Sequence, residues 1–187
     1  MRLLTFTLNH SEPLIGIRTQ DKILNLNEAA KIAGETGMPQ SMKVLLAGGP
    51  ECMARVRNLN SKALNDVPHY QSAWLNKADI SYLPPIVDAD KFLCVGKNYR
   101  KHLEELQQTN LIKEIPQEPT GFIKLNSCLV GHLAKVKKPD GIVRLDYEPE
   151  LVFVMGKRAL GVKKADAFNY IAGVTILNDL TCRDLQQ

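Results

Sequence analysis

Paired cysteines, long apolar runs and basic stripes are all missing from this chain, and each absence removes a class of protein. Its four cysteines, Cys52, Cys94, Cys128 and Cys182, are widely and irregularly spaced, with no C-x-x-C pair. That spacing suits neither a structural zinc site nor a secreted disulfide framework. Reduced thiols in a cytoplasmic protein are the simplest expectation. The first apolar run, Leu3 to Leu8, is broken by Thr5 and Thr7 and is too short for the core of a signal peptide. No stretch approaches the length of a membrane span, so no membrane partner is expected. No Lys/Arg stripe with interleaved aromatics is present, which argues against nucleic acid as a partner. Internal repeats and low-complexity tracts are also lacking. What remains is a 187-residue chain, 44% apolar and 24% charged, with a net charge of +4. Such a composition builds an ordinary globular core, in one domain or in a small one and a larger one.

Residues 1–26 read as a three-strand meander: Leu3 to Leu8, Pro13 to Arg18 and Ile23 to Leu26. Asn27 is placed as the N-cap of a helix over Glu28 to Ala33. Helical segments are expected over Met42–Leu46 and Met53–Leu59, separated by Gly48-Gly49-Pro50. The pair Pro84-Pro85 marks the main boundary, giving a small β/α domain over 1–85 and a second domain over 86–187. In the second domain strands are expected at Phe92–Gly96, Gly121–Leu125, Glu150–Met155 and Ala172–Leu177. Tyr99 to Gln108 reads as a short helix, Thr109 to Pro119 as a loop, and Asp166 to Ile171 as a helical turn.

The strongest chemical signal is Asp146-Tyr147-Glu148-Pro149-Glu150 running into an apolar strand. Residues i and i+2 of a strand share a face, so Glu148 and Glu150 would stand side by side. Two carboxylates so placed repel each other and resist desolvation, and a divalent cation between them relieves both penalties. An all-oxygen set suits magnesium, calcium or manganese. On spacing alone, two solvated glutamates at a strand mouth are the commoner arrangement. A third acid, Asp179, ends the apolar run Ile176-Leu177, and lies 29 residues after Glu150. Alone it reads as a turn aspartate. On the Tyr99–Gln108 helix, His102 and Glu105 are i,i+3 neighbours. Such a pair can hold one imidazole tautomer for general acid–base work. It reads equally as a half-buried histidine beside a Lys101–Glu105 salt pair.

Taken together, these segments resemble the fumarylacetoacetate hydrolase family. The resemblance is carried by Cys94-Val95-Gly96-Lys97-Asn98-Tyr99 with His102, and by Gly121-Phe122-Ile123-Lys124. It continues in Asp146-Tyr147-Glu148-Pro149-Glu150-Leu151 with Val154-Met155-Gly156-Lys157, and in Asn178-Asp179 with Arg183-Asp184 and Gln186. It covers residues 88–187. It implies an α+β, mostly β fold: a mixed β-roll or β-sandwich catalytic domain behind a small β/α N-terminal domain, assembled as a homodimer. It implies that Glu148, Glu150 and Asp179 bind Mg²⁺, Mn²⁺ or Ca²⁺, and that His102 and Glu105 form a catalytic dyad on a lid helix. Lys124, Arg183 and Gln186 would line or support the substrate site. The implied activity is hydrolysis of a C–C bond in a diketo acid of the acylpyruvate or fumarylacetoacetate kind. The alternative is a metal-dependent isomerase or decarboxylase of 2-oxo or 2-hydroxy-dienoate acids. A reading of another class is a non-catalytic dimeric paralogue that binds metal or ligand. The family pattern continues past this point with a lysine in a Gly-Lys-x-Phe-Asp-like segment, so the chain is expected to be incomplete at its C-terminus.

Overall fold

Alternation of apolar and polar residues in the first quarter of the chain builds an antiparallel sheet. In the computed structural model, β1 (Leu3–Thr7), β2 (Leu14–Arg18) and β3 (Lys22–Asn25) form the expected meander. Thr5 lies opposite Ile15, and Ile17 opposite Leu24. The structure describes residues 1–108 and 118–185, and for His102, Glu105 and Leu106 it describes the backbone alone. The β1–β2 turn uses left-handed backbone at Asn9 and His10 (φ 46° and 60°). It is tied by the Thr7 hydroxyl donating to the Ser11 carbonyl at 2.7 Å. Two strands of three residues each, β4 (Trp74–Asn76) and β5 (Ser81–Leu83), extend the sheet to the order β4-β3-β2-β1-β5. They escape a reading of the sequence because three residues carry too little alternation to register.

Helix α1 (Leu26–Ile32) is capped by Asn25, not Asn27. The Asn25 side chain accepts from the amides of Asn27 at 3.1 Å and Glu28 at 3.3 Å. Ser41 caps α2 (Met42–Ala47), its hydroxyl taking the Val44 amide. The third helix, α3 (Gly49–Asn65), is much longer than its apolar stretch suggests. Pro50 does not end a helix there. It sits in the first turn, where no amide donor is needed, and Gly49 makes the corner at φ 62°. Val56, Leu59 and Ala63 of α3 and Leu26, Ala29 and Ala30 of α1 are buried. Leu4, Phe6, Ile23 and Ile80 form one buried cluster of the sheet.

The chain divides into two compact units: Met1–Pro85 together with Gly131–Gln187, and Ile86–Val130. In the second unit, β6 (Leu93–Gly96) pairs antiparallel with β7 (Thr120–Ile123), and α4 (Arg100–Gln108) follows β6. Lys97 takes left-handed backbone (φ 53°) between β6 and the helix. Residues 109–117 of the expected loop lie outside the described set.

In the first unit, Gly131 sits against β5. A Cβ there would fall 1.7 Å from the Tyr82 carbonyl oxygen, so only glycine fits. The His132 ring meets Tyr82 edge-on, with centroids 5.5 Å apart. Four more strands follow. β8 (Leu145–Asp146) pairs with β11 (Thr181–Cys182), and β9 (Pro149–Met155) with β10 (Ile171–Asn178). The helical turn before β10 is a 3-10 helix over Lys164–Tyr170. One face of the β9–β10 ribbon is half-buried. The other exposes Leu151, Phe153, Val174 and Ile176, the last at 83%.

Candidate metal centre

The site is set by the register of one strand pair. Leu177 lies opposite Glu150 and Asn178 opposite Pro149. The ladder then gains one more rung, because the Asp179 amide donates to the Glu148 carbonyl at 2.7 Å. Opposed residues of an antiparallel pair share a face. Glu148, Glu150 and Asp179 therefore stand on the same face at one end of the ribbon, and all three are half-buried. Asn178 closes this end: its side-chain oxygen accepts from the Glu148 amide at 3.0 Å.

Side chains do not follow the backbone into one cluster. Among the described residues, no three His, Cys, Asp or Glu side chains converge to hold a metal ion. The Glu148 carboxylate instead takes Arg183 Nη2 on Oε1 at 2.5 Å and the Thr181 hydroxyl on Oε2 at 2.6 Å. Arg183 also donates from Nε to Asp146 Oδ2 at 2.7 Å. Its guanidinium is held above its ordinary pKa, chiefly by the Asp146 bond; partial burial opposes this, and the bond and charge of Glu148 add to it. Next to it, Asp184 Oδ2 accepts the amides of Val143 at 2.7 Å and Arg144 at 2.8 Å. The Arg144 amide is the main reason its carboxyl lies below the usual range. Desolvation opposes that, and Val143 adds to it. In kind, the donors fit a hard divalent cation: three carboxylates on one face, with no nitrogen or sulfur. The Glu148 carboxylate is committed to Arg183 and Thr181.

The remaining candidates belong to the other unit or lie beyond description. His102 and Glu105 are on α4, and their side chains fall outside the described set, as does Gln186. Leu103 buries the inner face of that helix, and its amide donates to the Tyr99 carbonyl. Lys124 follows β7, with its ammonium 5.7 Å from the centre of the Phe122 ring, a cation–π contact. Three residues with no role assigned from sequence belong to the network: Asp146, Thr181 and Asn178. The signal for Asp146 was present, since Asp146, Glu148 and Glu150 alternate and two of them share one arginine. Thr181 and Asn178 are visible only through the pairing of β10 and β11 with distant strands.

Residues 91–187 match the sequence pattern of the fumarylacetoacetate (FAA) hydrolase C-terminal family. The chain belongs to this family. It is 32% identical, over 189 residues, to the mitochondrial oxaloacetate tautomerase fahd2 of Xenopus laevis, covering 100% of this chain and 54% of that protein. It is 32% identical, over 182 residues, to the oxaloacetate tautomerase YisK of Bacillus subtilis, covering 95% of this chain and 60% of the relative. The chain thus spans little more than half the length of these relatives. Among solved structures, the fumarylacetoacetate hydrolase of Exiguobacterium antarcticum superposes with a TM-score of 0.67 at 21% identity, over 100% of this chain and 58% of that one. A maleylpyruvate hydrolase from Sphingobium sp. SYK-6, solved with manganese (II) and pyruvate, gives 0.66 at 21% identity, over 98% and 60%. The fold is the mixed α/β fold of this family, built from several antiparallel sheets.

Proposed function

We propose that this chain supplies the cation-binding face of an enzyme that interconverts the keto and enol forms of a small oxo-acid. The observation that carries the proposal is the β9–β10 register, which sets Glu148, Glu150 and Asp179 on one half-buried face. Isomerisation is preferred to the C–C hydrolysis expected first, because the relatives that match along the whole chain are named oxaloacetate tautomerases. The manganese and pyruvate in the maleylpyruvate hydrolase of the same fold agree with a divalent ion and an oxo-acid.

Glu148, Glu150 and Asp179 would hold Mg²⁺, Mn²⁺ or Ca²⁺. Such an ion supplies Lewis acidity, stabilising the negative charge that an enolate places on oxygen. The chain's own groups move the proton. His102 takes it from the carbon beside the keto group as the C–H electron pair becomes the enolate C=C bond. The proton then returns to oxygen to give the enol. Glu105 orients the imidazole. Lys124 is assigned to the carboxylate of the acid on the ground of its positive charge. Gln186 is assigned to substrate binding as well, and α4 is assigned the role of a lid. Residues 86–187 are read as the catalytic half and 1–85 as a smaller N-terminal domain. Assembly is read as a homodimer, supported by the exposed apolar face of β9–β10. A cytoplasmic location is proposed from the wide, irregular spacing of the four cysteines.

The test is ultraviolet decay of enol-oxaloacetate with Mn²⁺, run beside an acylpyruvate cleavage assay. Faster loss of the enol with no acylpyruvate cleavage is expected. Cleavage of the acylpyruvate with no effect on the enol would restore the hydrolase reading.

A further inference from the structure

Resting on the cation site proposed above, we infer that Arg183 is its resident counter-cation: the guanidinium occupies Glu148 until a divalent ion displaces it. Three observations lead there. First, both oxygens of Glu148 are engaged on the β11 side, one by Arg183 Nη2 and one by the Thr181 hydroxyl. That orientation commits the Glu148 carboxylate to Arg183 and Thr181. Second, the backbone register already groups the acids. The rung between Glu148 and Asp179 and the pairing of Glu150 with Leu177 already place the ligands on one face. Turning the Glu148 side chain away from Arg183 and Thr181 frees its carboxylate on that face. Third, Arg183 has a second anchor. Its Nε stays on Asp146 at 2.7 Å, so the arginine can release Glu148 without leaving its charge unpaired.

Charge explains why such a device is useful. Without an ion, the carboxylates at this half-buried sheet end repel one another, and one guanidinium lowers that repulsion. With an ion present, a guanidinium on the same carboxylate lies a few ångström from a like charge. Mutual repulsion then favours the arrangement in which Arg183 keeps only Asp146. The same feature ties Arg183 to protein carboxylates through two separate donors.

Arg183→Gln removes the competing charge and keeps a hydrogen-bond donor. Mn²⁺ affinity, read from the electron paramagnetic resonance of free Mn²⁺, should rise about tenfold. That corresponds to about 1.4 kcal/mol, the low end for a charged hydrogen bond, as suits a partly exposed pair. Arg183→Lys should return affinity toward the wild-type value. Weaker Mn²⁺ binding by folded Arg183→Gln would overturn the inference, since Arg183 would then be supporting the ligand. Should the variant not fold, the wild-type protein decides by nitrogen NMR during Mg²⁺ titration. The Arg183 Nη signals should shift while Nε, on Asp146, stays. Unmoved Nη signals at Mg²⁺ saturation would overturn it equally. Absence of Mn²⁺ binding by the wild type, or full binding by both Glu150→Gln and Asp179→Asn, is the distinct result that removes the cation site itself, and this inference with it.

Discussion

Phe6 tests how the five-stranded sheet is held. Its side chain is fully buried in β1, in a cluster with Leu4, Ile23 and Ile80, with Leu14, Leu75 and Tyr82 packed around it. The ring lies over Gly16: a Cβ on that glycine would come within 3.0 Å of a Phe6 ring carbon and 2.7 Å of the Leu24 carbonyl oxygen. Phe6→Ala therefore opens a cavity that the backbone of β2 and β3 cannot close without breaking the ladder. Removing a buried phenylalanine costs about 3–5 kcal/mol, transfer and cavity terms together. Gly16→Ala has the opposite fault, overpacking against a carbonyl that cannot rotate away, and should cost about 1–3 kcal/mol. Urea unfolding followed by tryptophan fluorescence suits both, because Trp74 is on β4 of the same sheet. Phe6→Leu keeps an apolar filler and should cost less than Phe6→Ala. A Phe6→Ala loss below about 1 kcal/mol, with an unchanged denaturant slope, would refute the packing argument.

Further consequences are independent of that sheet. His102→Ala should lower turnover at least about a hundredfold, the scale of general-base catalysis, while Mn²⁺ affinity stays unchanged; loss of the ion would end the division of roles. Hydrogen exchange over the Arg100–Gln108 helix should slow when oxalate binds, as short helices draw little stability of their own; equal protection with and without oxalate would remove the lid. The folded-state pKa of Asp184 is depressed, so its contribution to stability is present above its ordinary value of 3.8 and is lost as pH falls through the lower folded value. Asp184→Asn should therefore flatten the acid limb of a melting-temperature profile, and an identical limb in both proteins would contradict the hydrogen-bond account. Thr5→Val should destabilise by about 1–3 kcal/mol, because the Thr5 hydroxyl is the donor to the Pro85 carbonyl at 2.7 Å and the position is buried; denaturation of the variant measures it.

The meander, the β6 and β9–β10 strands and the short helix before residue 109 were legible because their alternation or stripe runs for four residues or more. The sequence does not single out Asn25 as the α1 cap, because Asn27 is an equally good capping residue two places on. Only the backbone angles separate them. The start of α3 is hidden because Gly49 and Pro50 suggest a break, although proline at a helix start is compatible with the missing donor, and its end runs past Leu59 through the mostly polar residues to Asn65. The acid set Glu148, Glu150 and Asp179 could be named from the Glu-x-Glu spacing and the family resemblance. Its shared face could not, since that depends on which residue of β10 stands opposite Glu150. The Arg183 bridge was beyond reach for a further reason. It joins residues 35 and 37 positions apart, through two-residue strands that carry no pattern.

The account turns on whether Glu148, Glu150 and Asp179 hold one divalent ion. Mn²⁺ titration of the wild-type protein beside Glu150→Gln and Asp179→Asn is the direct measurement, since neither residue takes part in the Arg183–Asp146 pair. One ion per chain in the wild type, with affinity lost in both variants while each remains folded, is the predicted result. Undiminished binding in both variants, or none in the wild type, would contradict it.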